Sequence, residues 1–203
     1  LAKQGMIPVV AIYSTFLQRA YDQILQDICM LGLHAVLAVD RAGLVGEDGE
    51  THHGVFDVAY LSSVPGMQIL CPANFAELRE MLRHAVMKLD GPVAVRYPRG
   101  GEGRFISMSG VSGSAVIRPG NDLTIVTYGT MVNEALQAAE LLEKSGVDAQ
   151  VLKLNSIAPL DLDSLMECVK QTGRLLVAEE CVDTGCVGRK IASELMLSGI
   201  GNI

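Results

Sequence analysis

No apolar stretch of this sequence approaches the roughly 18 residues that a membrane span requires, and no secretory signal pattern opens it. Charge is scarce as well. Only 19% of residues are charged, and acidic groups outnumber basic ones to give a formal net charge of −7. A nucleic-acid surface needs clustered excess Lys and Arg, so the balance argues against that class of partner while leaving room for a local phosphate pocket. The five cysteines (Cys29, Cys71, Cys168, Cys181, Cys186) are odd in number and fall mostly in apolar contexts. They read as reduced thiols in a cytoplasmic protein rather than as a disulfide framework. Cys181 and Cys186 lack a second ligand pair, which argues against zinc. The dinucleotide fingerprint and the P-loop spacing are both absent.

What is present is a well-buried globular composition, 49% hydrophobic over 203 residues, enough for one large or two small domains. Strand-like runs rich in β-branched residues at 9–12, 35–39, 67–71 and 93–97 alternate with helical spacing at 16–31 and 75–89. Asn74 is the expected cap of the second helix, and Gly91-Pro92 its stop. A second series follows, with strands at 123–128, 149–154 and 175–178 and helices at 131–144, 161–172 and 187–197. Gly146 suits the end of its first helix, and Asp161 the start of the next. Between the two series, residues 100–113 carry five glycines and three serines, the composition of a linker. The order predicts an α/β protein of two doubly wound, mostly parallel-sheet lobes, folded as separate layers hinged at that linker.

In open α/β sheets, ligands sit beyond the carboxyl ends of the strands. Directly after the run at 34–39 come Asp40-Arg41-Ala42-Gly43 and, within the same loop, Asp48, His52 and His53 between glycines. That loop offers an anion clamp, a carboxylate and two imidazoles, so an enzyme is the leading reading. Proton transfer or substrate hydrogen bonding suits the histidines better than a metal, for which a third spaced ligand is missing. Arg96-Tyr97-Pro98-Arg99-Gly100 ends another strand, where two arginines suit a phosphate or oxyanion. At the first strand-to-helix turn, Tyr13, Phe16 and Arg19 could hold a flat heterocycle by stacking. Spacing alone favours the plainer alternative, with Phe16 and Tyr21 in the core and Arg19 a surface charge. For 179–188 a structural turn is the favoured reading.

Three motifs together carry a resemblance: Tyr13-Ser-Thr-Phe-Leu-Gln-Arg-Ala-Tyr-Asp-Gln23; Asp40-Arg-Ala-Gly43 with Gly46, Asp48-Gly49, Thr51-His52 and Gly54; and Arg96-Tyr-Pro-Arg-Gly100. They resemble the 1-deoxy-D-xylulose-5-phosphate synthase family of the thiamine-diphosphate-dependent transketolase superfamily. Thr127-Tyr-Gly-Thr130 and Leu154-Asn-Ser-Ile-Ala-Pro-Leu160 resemble pieces of the superfamily's C-terminal domain.

The resemblance implies a pyrimidine-binding domain at 1–112, including the linker, and a C-terminal domain at 113–203. It implies condensation of pyruvate with glyceraldehyde 3-phosphate on thiamine diphosphate with Mg2+, feeding isoprenoid, thiamine and pyridoxal synthesis, in a homodimer. Phe16 would stack on the aminopyrimidine, with Tyr13 and Arg19 lining that pocket. Arg41 and Arg99 would hold the substrate phosphate, Asp48 and His52 would line the substrate site, and His52 would be catalytic as a proton carrier. No metal ligand is expected within these residues.

The departures are His53, where the family commonly has Gln, and the less glycine-rich turn at 184–188. The family's catalytic glutamate and its diphosphate- and magnesium-binding domain are expected to precede Leu1. The strand-like run so close to a start that lacks methionine gives the same expectation, a piece of a longer protein. A non-catalytic transketolase-like subunit, or a keto-acid dehydrogenase β-type protein, is the alternative.

Overall fold

The computed structural model describes residues 1–200. Its first sheet has the order β1-β2-β4-β3-β8, and its second the order β5-β7-β6-β9. In the first, β1 (Val9–Tyr13), β2 (Ala35–Asp40), β4 (Pro92–Arg96) and β3 (Gln68–Leu70) are all parallel. In the second, β7 (Ala149–Leu154), β6 (Leu123–Tyr128) and β9 (Leu175–Ala178) are parallel, and β5 (Ser114–Arg118) is antiparallel on β7. The expected α/β alternation is present. Two short strands escaped the sequence pattern: β5, just past the linker, and β8 (Ser156–Ala158).

Helices cover both faces of each sheet. On the first, α4 (Phe75–Met87) seals Val36, Leu70, Val93 and Val95 with Met81 and Ala85. Its cap is the expected one, since the Glu77 N–H donates to Asn74 Oδ1 at 2.8 Å. The opposite face receives the helical segment from 14 to 29 and α3 (Asp57–Ser62), a helix with no clear period in the sequence. The segment at 16–31 is not one helix. It passes through α1 (Ser14–Leu17), a 3-10 turn at Gln18–Ala20, α2 (Tyr21–Gln23) and a π turn at Ile24–Cys29, of which Ile24 alone is buried. With one buried residue in its last two turns, little packing enforces regular α geometry.

In the second lobe, α5 (Val132–Lys144) covers one face, while α6 (Leu162–Thr172) and α7 (Val187–Leu197) cover the other. Asp161 caps α6 as expected, its carboxylate accepting from the Ser164 N–H at 3.3 Å and hydroxyl at 2.8 Å.

Each lobe keeps its own sheet, as expected, but the two lobes share one core. One apolar cluster runs from Leu37, Val39, Val58 and Leu61 through to Leu152, Leu154, Leu165 and Ile191. Strand β8, which follows the second-lobe strand β7, pairs antiparallel with β3 of the first sheet. A fully buried ion pair, Lys153 on β7 with Glu77 on α4 at 3.0 Å, also joins them.

Candidate active site

Parallel register places the ends of three strands in one row: Tyr13 of β1 opposite Asp40 of β2, and Val39 opposite Arg96 of β4. The chain leaves this row through Arg41, which has a positive φ of 58° although it is not glycine. A residue held there is strained, and such strain is concentrated at functional sites. Residues 41–54 then form a compact loop closed at its base, where Gly43 and Gly54 exchange two backbone hydrogen bonds of 2.8 Å. Gly54 is required at this point, because a Cβ would overlap the Arg41 carbonyl oxygen and stand 2.7 Å from Ser14 Oγ.

Six of the seven expected site residues lie side by side at this edge. Arg41 Nε donates to Asp48 Oδ2 at 2.7 Å, and its Nη1 to Asp40 Oδ2 at 2.7 Å. The guanidinium also lies 3.8 Å over the centre of the Tyr13 ring. Tyr13 stacks on Phe16 at 5.3 Å and 11°, and His52 meets Phe16 edge-on at 5.6 Å. Arg99 reaches the same Asp48 oxygen at 3.4 Å, and Glu47 at 3.4 Å. Burial works against the charge of Arg41, but Asp48 and Asp40 outweigh it and raise its pKa. His52 Nδ1 lies 3.0 Å from the Thr51 hydroxyl. Arg19 is the exception, exposed on the next turn away from these contacts.

Phe16 is 41% exposed, which rules out the plain core reading of that residue. Tyr21, by contrast, does pack against the core, edge-on to Tyr60 at 6.3 Å. His53 serves the loop itself, its Nδ1 accepting from the Val45 N–H at 3.1 Å.

Arg96 corrects the idea of two anion-binding arginines at the end of β4. It is 6% exposed and bound through Nε to Asp57 Oδ2 at 2.8 Å, with Nη2 donating to the carbonyls of Gly54 and Glu180, each at 3.2 Å. A buried guanidinium demands a carboxylate, and α3 supplies one at a position no local pattern marks. At Arg99 a cleft of about 290 Å3 opens on the first lobe and the linker, lined among others by Asn74, Phe75, Tyr97 and Glu102, with Thr130 reaching it from the second lobe.

The first turn offers what a flat, hydrogen-bonding ring would need. The Phe16 ring is exposed, and Thr15 Oγ1 next to it is the one buried side-chain polar atom without a hydrogen-bond partner among the described residues. No local pattern marks Thr15, since nothing nearby in the chain distinguishes an orphaned hydroxyl from a satisfied one. The described residues hold no cluster of three or more His, Cys, Asp or Glu that would suit a metal ion, and no helix among them is long and apolar enough to cross a membrane.

Comparison with known proteins agrees with this architecture. Residues 1–101 match the family model of the transketolase pyrimidine-binding domain, and residues 113–203 that of the transketolase C-terminal domain. The chain is 46% identical over 98% of its length to the 1-deoxy-D-xylulose-5-phosphate synthase of Gloeobacter violaceus, and 44% identical over 98% to that of Heliobacterium modesticaldum. In both cases it spans 32% of the relative, so it corresponds to about a third of those proteins. Among solved structures, a chain described as "Split gene transketolase, inactive beta4 tetramer" superposes with a TM-score of 0.87 at 32% identity, covering 97% of this chain and 65% of that one. A mutant transketolase from Pichia stipitis, 18% identical, shares the fold at a TM-score of 0.74 over 84% of this chain and 26% of that one. The chain therefore belongs to the transketolase family, as a pyrimidine-binding domain followed by a C-terminal domain.

Proposed function

We propose that the protein containing this chain is a 1-deoxy-D-xylulose-5-phosphate synthase, joining pyruvate to D-glyceraldehyde 3-phosphate with release of carbon dioxide. The observation that carries this reading is the unbroken run of contacts from Arg99 through Asp48, Arg41, Tyr13 and Phe16 to His52, at the carboxyl edge of a sheet. Bound thiamine diphosphate supplies the nucleophilic carbon and the electron sink for decarboxylation. The exposed Phe16 ring would carry its aminopyrimidine, with Tyr13 behind Phe16 and the Thr15 hydroxyl as a polar partner. Arg19 belongs at most to the rim of that pocket. The diphosphate and Mg2+ require donors that the described residues do not bring together, so this chain supplies one side of the cofactor site. A homodimer in the cytoplasm, serving isoprenoid, thiamine and pyridoxal synthesis, accords with the family.

Arg41 and Arg99 would hold the aldehyde's phosphate. Three carboxylates already face these two guanidiniums, so an incoming phosphate must displace one. Glu47 yields most easily, being 87% exposed and 3.4 Å from Arg99. Asp48 would keep both arginines aligned, and His52 would give or take a proton at the reacting oxygen.

The test is steady-state kinetics of the full-length protein. A charge-assisted Arg–phosphate contact contributes about 1.5–3 kcal/mol, which is roughly ten- to hundredfold in affinity. Arg99→Ala should raise KM for glyceraldehyde 3-phosphate by about that factor and leave KM for pyruvate nearly unchanged. Arg41→Ala should do the same with an added loss, because it also frees Asp40 and Asp48. Equal losses toward both substrates, with a lowered melting temperature, would make these arginines structural.

A further inference from the structure

The turn between β9 and α7 is more than a connector. Its Glu180 carboxylate, from the second lobe, occupies the space that a side chain on Gly43 would fill, at the base of the loop over residues 41–54. The Glu180 carbonyl accepts from Arg96, the same arginine whose Nη2 donates to the Gly54 carbonyl. Two residues on, the Val182 N–H donates to the Val55 carbonyl at 2.9 Å. Gly185 then approaches so closely that a Cβ would stand 2.9 Å from Ala59 Cβ of α3. The turn is anchored in its own lobe by Glu179, which accepts from Tyr128 Oη at 2.7 Å and from the first amides of α7.

We infer that Glu180 is a positioning residue for the active-site loop: its carboxylate braces Gly43 and thereby fixes the geometry of Arg41 and Asp48. The inference rests on the reading of that loop as the substrate site. The brace matters because the loop leaves the sheet through a strained Arg41, and Gly43 itself is otherwise held through its pair of bonds to Gly54, with Ala42 bonded to the Tyr97 carbonyl at 3.1 Å and Gly54 to Arg96 on either side. A carboxylate suits the place, since it faces the Leu44 amide, Arg96 and His53. Burial nonetheless pushes the Glu180 carboxyl above its ordinary range, with Glu134 adding to the shift while Arg96, the Leu44 amide and His53 oppose it.

The test uses the full-length protein with Glu180→Ala, the isosteric Glu180→Gln, and Asp183→Ala, on the exposed side of the same turn, as a control. Amide hydrogen exchange without substrate reads the loop, and kinetics read its consequence. Glu180→Ala should speed exchange across residues 43–54 and raise KM for glyceraldehyde 3-phosphate about three- to tenfold, the scale of coupling between contacting residues. KM for pyruvate should stay within twofold. Glu180→Gln should recover most of both effects, and Asp183→Ala should change neither. Unchanged loop exchange in Glu180→Ala would overturn the brace. Faster exchange with unchanged KM for the aldehyde would overturn the positioning role. If Arg99→Ala also spared that KM, the reading of the site would fall, while the exchange data would still decide whether Glu180 braces the loop.

Discussion

Replacing Lys153 with methionine tests the ion pair that ties the lobes together. Lys153 Nζ lies 3.0 Å from Glu77 Oε2, and neither side chain reaches solvent. Burial lowers the Lys153 pKa, with Glu77 acting in the opposite sense. Methionine fills the aliphatic volume but strands the carboxylate. Glu77 would keep only the Ala73 N–H at 2.8 Å, the Ser109 N–H at 3.1 Å and the Ser109 hydroxyl at 2.7 Å. Breaking a buried pair by removing one partner costs about 3–5 kcal/mol. For a chain of this size each kcal/mol lowers the melting temperature by about 2–4 °C, so the expected fall is roughly 6–20 °C. The assay is thermal unfolding followed by circular dichroism, at neutral pH, for Lys153→Met, Glu77→Gln and the double variant. With both charges gone, the double variant should lose much less than the sum of the two single changes. A fall under about 3 °C for Lys153→Met, or strict additivity in the double variant, would refute the view that this pair fastens the lobes.

Two further outcomes follow from the geometry. Gly54→Ala forces a methyl group into the Arg41 carbonyl and the Ser14 side chain and should cost about 1–3 kcal/mol by overpacking, whereas Gly101→Ala, which meets open space, should be nearly silent in the same thermal assay. Asp161→Ala removes the cap of α6 and should cost about 0.5–2 kcal/mol. Burial tends to raise the Asp161 pKa, but hydrogen bonds from Ser114 and Ser164 prevail and lower it from 3.8. Its contribution is therefore fully present above that value and lost as pH falls through the folded-state pKa, so the wild-type and Asp161→Ala stability curves should converge only in acid below pH 3.8.

The sequence by itself determined the α/β class, the alternation of seven strands with helices, and the helix ends at Asn74, Gly146 and Asp161. These rest on periodicity, on the Asn74 and Asp161 side chains bonding to amides three residues away, and on the positive φ that Gly146 adopts, all local in the chain. It also showed that Tyr13, Phe16, Arg41, Asp48, His52 and Arg99 sit at strand ends, because a strand run followed by glycine and polar residues marks the carboxyl edge. Only the tertiary structure decided what those residues do to one another. Both arginines converge on Asp48, one of them from 51 residues away along the chain. Arg96 turned out to be a buried strut because α3 carries Asp57, and Thr15 an orphan because nothing packs a partner against it. The three-residue strand β8 has too few side chains to show a period, and it exists because the edge of β3 accepts it. Glu180 faces Gly43 from 137 positions downstream, a closeness produced by the apolar core that the two lobes share. Local pattern fixes which elements form, whereas long-range burial and the pairing of buried charges fix which of their ends meet.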